Sequence, residues 1–318
     1  MTRDSRNIEL TSIDRSLIRE LGIDARQTAV DLARKVGASR STVQNRLQKL
    51  LDEGIIRIVS APNPEILGYG MAVILGIHTR PNQVETTAAE LARRSSLQQV
   101  IVCAGRYNLM AVAAFRGSDE FAYFITKDLA GVSGVESVET MTVLRIVKGT
   151  SRFVTPDEYF YPEITGSTKL DALDVMLVRE LQRDSKQTQA ELAEKLESSP
   201  TTIRRRIHRL LDEGTIEMVA IMDPRALGYQ IRAAVGISVA PDKIDDVAQQ
   251  VATLNEVHHL VITTGRYDLI AWAVFEHVGK LSGFLRYKLG QITGVTGHET
   301  LQTINIIRDS LTVSVQGP

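Results

Sequence analysis

The sequence predicts an α+β protein of two tandem units, each a winged/helix-turn-helix three-helix domain followed by a ferredoxin-like βαββαβ domain. Three observations lead to this fold class. The chain repeats itself at a constant offset of 160 residues (174 − 14), so that Asp14 recurs as Asp174 and Gly134 as Gly294. Each repeat opens with apolar residues at helical spacing. It then continues with strands and helices in alternation.

The composition is that of an ordinary globular protein. The chain has 318 residues, 43% of them hydrophobic and 24% charged, which is too long for one compact core. No stretch reaches the roughly 20 apolar residues of a membrane span, and the start has no signal-peptide pattern. The single cysteine, Cys103, cannot form an internal disulfide, and we expect it to be buried in its apolar run. We therefore expect a cytoplasmic protein without membrane contact.

The repeat sets the expected domain boundaries. We predict a helix-turn-helix domain over residues 8–60 and a ligand-sensing domain over 61–148, then the same pair over 170–220 and 221–318. Residues 149–169 have no counterpart in the repeat and contain proline, glycine and serine, which is typical of a linker. A period this long indicates duplicated domains and not a solenoid of short repeats.

The first two helices of each unit form the start of the predicted helix-turn-helix. In unit 1, the apolar residues from Ile13 to Leu21 lie at helical spacing and define one amphipathic helix. Thr28 and Asp31 have the spacing of a capping box that starts a second helix, which we expect to end near Gly37. Unit 2 repeats this pattern, and two short helices joined by a tight polar turn indicate a helix-turn-helix.

The third helix carries the candidate recognition surface. It begins at Ser39 in unit 1 and at Ser199 in unit 2, where Pro200 suits the first helical position. No acidic residue lies between Ser39 and Leu51, and the outward face bears basic, amide and hydroxyl side chains. Such a face attracts a duplex, because arginine binds guanine edges or phosphates and amides pair with adenine. We predict double-stranded DNA as the partner, bound by Ser39, Arg40, Ser41, Thr42, Gln44, Asn45 and Lys49, and by Ser199, Thr201, Thr202, Arg204, Arg205, His208 and Arg209.

The alternative for these faces is a solvated basic surface on a structural three-helix unit. Their presence in both repeats favours DNA, and a net charge of −1 means that any contact must come from such local patches. Arg46 and Arg206 lie nearer the core side, where they could instead hold the fold or a phosphate. The unequal pairs Gln44-Asn45 and Arg204-Arg205 predict an operator with non-identical half-sites.

Each unit continues into a strand and then a βαββαβ series. Gly54 and Gly214 suit the left-handed position that ends a helix, and short strands are predicted at Ile55–Val59 and Thr215–Ala220. The later elements of unit 1 are a strand at 71–77, a helix at 82–94, strands at 98–103 and 109–115, a helix at 118–129 and a strand at 135–147. This order is the ferredoxin-like arrangement, which by itself hosts many functions.

The whole unit resembles the leucine-responsive regulatory protein/asparagine regulator (Lrp/AsnC) family. The likeness rests on the helix start at Asp14, the recognition helix Ser39–Leu51 and the Asp-Glu-Gly-Ile-Ile sequence that follows it. It also rests on the Leu67–Tyr69 turn and on the glycine loops Gly105–Leu109 and Gly265–Leu269. The resemblance implies a transcription regulator, not an enzyme, with a RAM-type domain that binds an amino acid or a related small molecule. It further implies a homo-oligomer assembled through these domains, without a cofactor.

In this family the glycine loop lines the effector site. The resemblance places Gly105, Tyr107 and Asn108 of unit 1 in that site, and Thr264, Gly265, Tyr267 and Asp268 of unit 2. The family favours aspartate where unit 1 has Asn108, and losing that carboxylate would weaken the binding of an ammonium group. For both loops the alternative is a β-turn that needs glycine for geometry alone.

Two other functions remain open on this fold. Some Lrp-like proteins, including fused two-unit forms, are siroheme decarboxylases, and Tyr107-Asn108 is similar to a Tyr-Asn pair in that group. The loop lacks the neighbouring histidine expected of that group, and both recognition helices keep their basic faces. The second alternative is a ligand-binding protein that has lost DNA binding. If the protein is a DNA-binding regulator, one chain could act as a covalent pseudo-dimer, or its two units could nucleate a larger ring.

Overall fold

The computed structural model describes residues 10–62, 68–149, 170–183, 187–222 and 224–309, and the predicted linker lies outside this part of the chain except for Gly149. The two units have the same order of elements. Unit 1 consists of α1 Ser12–Ile23, α2 Ala29–Val36, α3 Arg40–Asp52, β1 Ile56–Pro62, β2 Met71–Thr79, α4 Val84–Leu91, β3 Leu97–Ala104, β4 Leu109–Phe115, α5 Ser118–Tyr123 and β5 Val135–Gly149. Unit 2 consists of α6 Ala172–Arg183, α7 Gln189–Lys195, α8 Pro200–Asp212, β6 Ile216–Met222, β7 Ile231–Val239, α9 Ile244–Ala252, β8 Val257–Thr263, β9 Leu269–Phe275, α10 Val278–Gly283 and β10 Val295–Asp309.

The local signals that predicted the three-helix domains are confirmed. The Thr28 hydroxyl accepts a hydrogen bond from the Asp31 amide at 3.2 Å, and α2 ends at Gly37 with φ +68°. Ser39 caps α3 by accepting from the Thr42 amide at 3.1 Å. Ser199 caps α8 in the same way, with Pro200 in the first turn. These caps fix where each recognition helix begins and therefore which residues face outward.

The strand after each recognition helix pairs with the equivalent strand of the other unit. β1 and β6 form a two-stranded antiparallel ribbon in which Ile56 is opposite Met222 and Val59 is opposite Val219. Each strand bridges the two units, because β6 packs against α1 as well as α8, and β1 packs against α6 as well as α3. Met222, for example, is buried in the hydrophobic core of the first three-helix domain. The ribbon therefore holds the two three-helix domains together as one body.

The two βαββαβ domains close into one eight-stranded barrel. Within each unit the four strands form an antiparallel sheet, in the orders β3-β4-β2-β5 and β8-β9-β7-β10. The sheets join at two seams, where β5 pairs with β8 and β10 pairs with β3. Because closure removes every free strand edge, the backbone hydrogen-bonding groups at the edges of each sheet are paired with the other sheet of the same chain. The strand prediction is confirmed, whereas the pairing between units is a finding of the structure.

Alternation along the strands separates the cores outside and inside the barrel. Outward residues such as Leu75 and Val235 pack under the helices of their own unit. Inward residues of both units, such as Ile74, Met141 and Val261, form one shared cluster. Cys103 belongs to this inner cluster, as predicted, and burial raises the pKa of its thiol to about 12. The inner core is thus made equally by the two repeats.

Cations at the ends of β5 and β10 strengthen the seams. The Lys148 ammonium donates to the carbonyl oxygen of Ala252 at 2.8 Å, at the C-terminal end of α9 in the other unit. Arg308, its repeat equivalent, donates to the carbonyl oxygens of Ala92 and Arg94 at 2.8 and 2.9 Å, just after α4. Helix C-termini carry unpaired carbonyls and partial negative charge, so these contacts stabilise both the helix end and the seam.

Candidate nucleic-acid interface and effector site

The exposed faces of α3 and α8 carry most of the predicted DNA-binding residues. On α3, Arg40, Ser41, Gln44, Asn45 and Lys49 are exposed. On α8, the exposed members of the set are Thr201, Arg204, Arg205 and His208. Neither face has an acidic residue before its last turn, so each presents a neutral-to-positive surface with several hydrogen-bond donors.

The four hydroxyl residues at the helix starts have a structural role. Ser39 and Ser199 cap their helices, and each also hydrogen-bonds the hydroxyl of the residue three positions later, at 2.8 and 2.9 Å respectively. Those partners, Thr42 and Thr202, are half-buried. These residues therefore set the helix N-terminus, where free amides could still face a phosphate.

Arg209 is engaged inside the protein, unlike the other predicted contacts on α8. Its guanidinium contacts Asp174, whose side chain is 1% exposed, and it lies 3.8 Å from Glu213. Arg206 donates to Asp174 at 2.7 Å and to Asp171 at 2.7 Å, which confirms its expected position on the core side. We call Asp171, Asp174, Arg206 and Arg209 the arginine clamp. It ties α8 to the start of α6, and it gives Arg209, whose side chain is 40% exposed, a partner within the unit.

Unit 1 has a weaker version of this contact. Arg46 lies 3.6 Å from the buried carboxylate of Asp14. The Asp14 carboxylate also accepts two hydrogen bonds from Thr11, one from its amide at 2.8 Å and one from its hydroxyl at 2.7 Å. Lys49, which occupies the position of Arg209, lies 3.8 Å from Glu53 instead. The two recognition helices are therefore held with different strength.

The glycine loops lie at the seams between the units. Gly105 has φ +139°, and a Cβ there would lie 2.5 Å from the Thr300 carbonyl oxygen of the other unit. Gly265 has φ +102°, and its Cβ would lie 2.8 Å from the Thr140 carbonyl oxygen. The amide of Thr264 donates to the Thr142 carbonyl oxygen at 2.9 Å, so this predicted effector residue also joins the seam. Both loops need glycine for backbone geometry and for close approach.

A tyrosine, a glutamate and an arginine meet beside each glycine loop. Tyr107 donates its hydroxyl proton to Glu139 at 2.8 Å, and Arg106 binds the other oxygen of Glu139 at 2.7 Å. In unit 2, Tyr267 donates to Glu299 at 2.7 Å, and Arg266 binds the same carboxylate. We call these two groups the loop clusters.

The loop clusters lie at the same end of the barrel and influence each other. Hydrogen bonds from Arg106 and Tyr107 lower the pKa of Glu139, and the Arg266 charge of the other unit lowers it further. Burial, together with hydrogen bonding to Glu299, raises the pKa of Tyr267 to about 12. This end lies opposite the point where the chain enters the barrel from the ribbon, at Met71 and Ile231.

Asn108 and Asp268 perform the same backbone task. The side-chain oxygen Oδ1 of Asn108 accepts from the Thr79 amide at 2.9 Å, and one Asp268 carboxylate oxygen accepts from the Val239 amide at 2.8 Å. Asparagine satisfies this role without a charge. The expected difference in ammonium binding between the units therefore rests on the second carboxylate oxygen of Asp268 alone.

Sequence reasoning missed the glutamates of the loop clusters and the glycines that pack against their tyrosines. A Cβ at Gly76 would lie 2.4 Å from the Tyr107 ring, and one at Gly236 would lie 2.5 Å from the Tyr267 ring, so glycine makes room for each tyrosine. Glu139 is opposite Gly76 across the sheet. Each of these residues recurs at the repeat offset, which was the available signal.

The loop clusters predict a specific acid dependence. The folded pKa of Glu139 and of Glu299 lies below the ordinary 4.5, so their stabilisation is present above pH 4.5 and is lost as the pH falls through the folded values. We expect the double variant Glu139→Gln/Glu299→Gln to lose this part of the acid dependence, worth less than about 1 kcal/mol per pair because the groups are partly exposed. Denaturation midpoints measured across this range would test it. Glu136→Gln, in an exposed pair with Arg80 at 3.8 Å, is the control, and an unchanged acid profile in the double variant would contradict the prediction.

Family models match most of the described chain. The Lrp/AsnC ligand binding domain matches residues 72–153 and 232–312. The AsnC-type helix-turn-helix domain matches residues 10–51, and a winged helix-turn-helix DNA-binding model matches 170–217. The two ligand-binding matches and the two helix-turn-helix matches correspond to the two repeats. Among the described helices, none has the length and apolar character of a membrane span.

Relatives with one unit match part of this chain. An HTH-type transcriptional regulator of Pyrococcus furiosus is 36% identical over 132 residues, which cover 41% of this chain and 89% of the relative. The HTH-type transcriptional regulator FL11 of Pyrococcus horikoshii is 30% identical over 148 residues, covering 46% of this chain and 97% of the relative. Each relative thus corresponds to about one of the two units.

Solved structures of the siroheme decarboxylase NirDL are similar over both units. For the co-complex with an iron-uroporphyrin III analogue, the TM-score is 0.64 and the identity is 15%. The match covers 96% of this chain and 96% of that one. At this identity the likeness concerns the duplicated fold, which is compatible with more than one function.

Proposed function

Because the chain belongs to the Lrp/AsnC family, we propose that it is a sequence-specific DNA-binding transcription regulator that responds to an amino acid or a related small molecule. The observation that carries the DNA-binding part is the pair of exposed, acid-free helix faces on α3 and α8. These faces combine guanidinium, amide and hydroxyl groups, which are the groups that hydrogen-bond base edges and phosphates.

We propose that one chain supplies what two chains supply in a single-unit relative. The ribbon and the two barrel seams join the repeats through paired strands. Two recognition helices are thereby presented together by one molecule. Further assembly through the outer faces of the RAM-type domains, as the family implies, would then combine several chains, each with two recognition helices.

The effector site that we propose lies at the glycine loops. Gly105, Gly265, Tyr107 and Tyr267 border the seams, so a ligand there would contact both units. A ligand with higher affinity for one seam geometry would shift the population toward it. β2 and β7 lead from this end of the barrel to Met71 and Ile231 at its opposite end, on the side of the chain that carries the DNA-binding domains. Thermal-shift titration with amino acids tests the site, and Asp268→Asn is expected to weaken binding of an α-amino group.

The DNA-binding proposal predicts the effect of two arginines. Arg204→Ala and Arg205→Ala are each expected to weaken binding by about 1–3 kcal/mol if they bind bases. The duplex used is the region upstream of the protein's own gene. Arg80→Ala removes an equally exposed charge on the barrel side and is the matched control. A gel-shift titration measures all three. Equal, small effects of the three substitutions would remove Arg204 and Arg205 from the interface.

The alternative function is siroheme decarboxylation on the same duplicated fold. Its support is the full-length fold likeness to NirDL. Incubating the purified protein with siroheme and assaying for decarboxylated product separates the two functions. Product formation together with an absence of duplex preference would replace our proposal.

A further inference from the structure

We infer that this chain binds an asymmetric operator in one orientation, with α8 on a guanine-containing half-site and α3 on an adenine-containing half-site. The inference rests on the proposed DNA-binding function and extends it to the identity of the bases. It starts from a difference between the repeats. At equivalent outward positions α3 carries Gln44, Asn45 and Gln48, whereas α8 carries Arg204, Arg205 and His208.

These positions share one helix face. Residues three and four apart are neighbours on an α-helix, so positions 41, 44, 45 and 48 form one surface, and 201, 204, 205 and 208 form its counterpart. The two surfaces have the same position relative to their caps, because Ser39 and Ser199 start the helices identically. Equivalent side chains would therefore meet equivalent positions of a groove.

The side chains that differ are available for contact. Within the described residues, no hydrogen bond or ion pair engages Arg204 or Arg205, whereas Arg206 and Arg209 are taken up by the arginine clamp. Gln44 and Asn45 are likewise unengaged within these ranges, and Gln48 donates to Asp52 at 2.7 Å. The clamp thus sorts the arginines of α8 into two that hold the helix and two that face outward.

The chemistry of the exposed groups assigns the bases. Arginine donates two parallel hydrogen bonds to the O6 and N7 atoms of guanine, and it cannot accept from the amino group of adenine. An asparagine or glutamine amide both donates and accepts, which matches N7 and the amino group of adenine. The arginine pair of α8 therefore favours guanine, and the amide pair of α3 favours adenine.

The ribbon converts this difference into an orientation. β1 and β6 hold the two helices in one body, so a single chain always presents one helix of each kind. In a pair of identical chains the two half-sites are equivalent, and the operator has no direction. Here binding in the opposite orientation on the same operator would place Arg204 and Arg205 on adenines, so that both arginines would meet a mismatched acceptor pattern.

The test uses the full chain and a random pool of duplexes, from which bound sequences are selected and read. The wild type is expected to enrich one asymmetric site, and inverting a single half-site is expected to weaken binding about tenfold, the effect of one lost bidentate base contact. The double variant Gln44→Arg/Asn45→Arg should enrich guanine in both halves. The converse Arg204→Gln/Arg205→Asn should enrich adenine in both.

The substituted positions are exposed, and the residues introduced there can be accommodated in a helix, so we expect the variants to fold. A circular dichroism spectrum of each variant is the folding control. A perfect inverted repeat selected by the wild type, or unchanged selected sites in both double variants, would overturn this inference while leaving DNA binding intact. Absence of any enriched sequence would overturn the proposed function and this inference together.

Discussion

Asp174→Ala is expected to destabilise the second three-helix domain by about 2–4 kcal/mol, because a hydrogen bond to a charged group contributes about 1.5–3 kcal/mol and the two arginines that Asp174 binds are partly exposed. The Asp174 side chain is 1% exposed and binds both Arg206 and Arg209. It also accepts from the Asp171 amide at 3.1 Å at the start of α6. Without it, Arg206 keeps only Asp171 and Arg209 keeps only Glu213, so both guanidinium groups lose their buried partner. Hydrogen exchange of α6 and α8 amides in the full chain measures the loss separately from the barrel.

The repeat supplies a matched control for this prediction. Asp14→Ala removes the equivalent buried carboxylate, but there a single arginine, Arg46, lies 3.6 Å away, and position 49 is a lysine. Loss of the cap on α1 then dominates, and caps are worth about 0.5–2 kcal/mol. If Asp14→Ala and Asp174→Ala weaken their domains equally, the arginine clamp does not stabilise α8 beyond capping. Arg209→Ala should reproduce part of the Asp174 effect on stability.

The sequence predicted the helices and strands well because their signals are local. Caps at Thr28, Ser39 and Ser199 depend on residues within one turn, and alternating apolar residues mark the strands of each sheet. The pairing of β1 with β6 could not be predicted in this way. A short strand after a recognition helix has the same local pattern whether it pairs within its unit or with the other unit, since pairing depends on contacts distant in sequence.

The candidate sites show the same division. The outward residues of α3 and α8 follow from helical periodicity, and the structure places Arg204 and Arg205 where periodicity put them. The same periodicity predicts Arg209 on the outer face. The structure adds an ion pair between Arg209 and Asp174, a residue in another helix that no spacing rule connects to it. Local patterns give the direction of a side chain, and the buried carboxylate decides which arginine remains available.

The barrel seam predicts the second large effect, at Gly105. Gly105→Ala combines two costs, because φ +139° disfavours a side chain and the new Cβ would lie 2.5 Å from the Thr300 carbonyl oxygen. Backbone strain of this kind costs about 1–3 kcal/mol. Overpacking adds about 1–3 kcal/mol. The clash is with the β10 backbone, which pairs with β3 at this seam, so neither strand can yield without breaking its register. We expect a loss of about 2–6 kcal/mol in chemical denaturation.

A second glycine separates the two costs at Gly105. Gly228 has φ +92° with nothing within 4 Å of its added Cβ, so Gly228→Ala carries the backbone strain without the clash. The difference between the two variants measures the close approach of the units. Faster hydrogen exchange of β3 and β10 amides in Gly105→Ala alone would locate the damage at the seam. Equal destabilisation by both substitutions would mean that glycine is needed at position 105 only for the backbone conformation of its turn. The close approach of the other unit would then make no contribution.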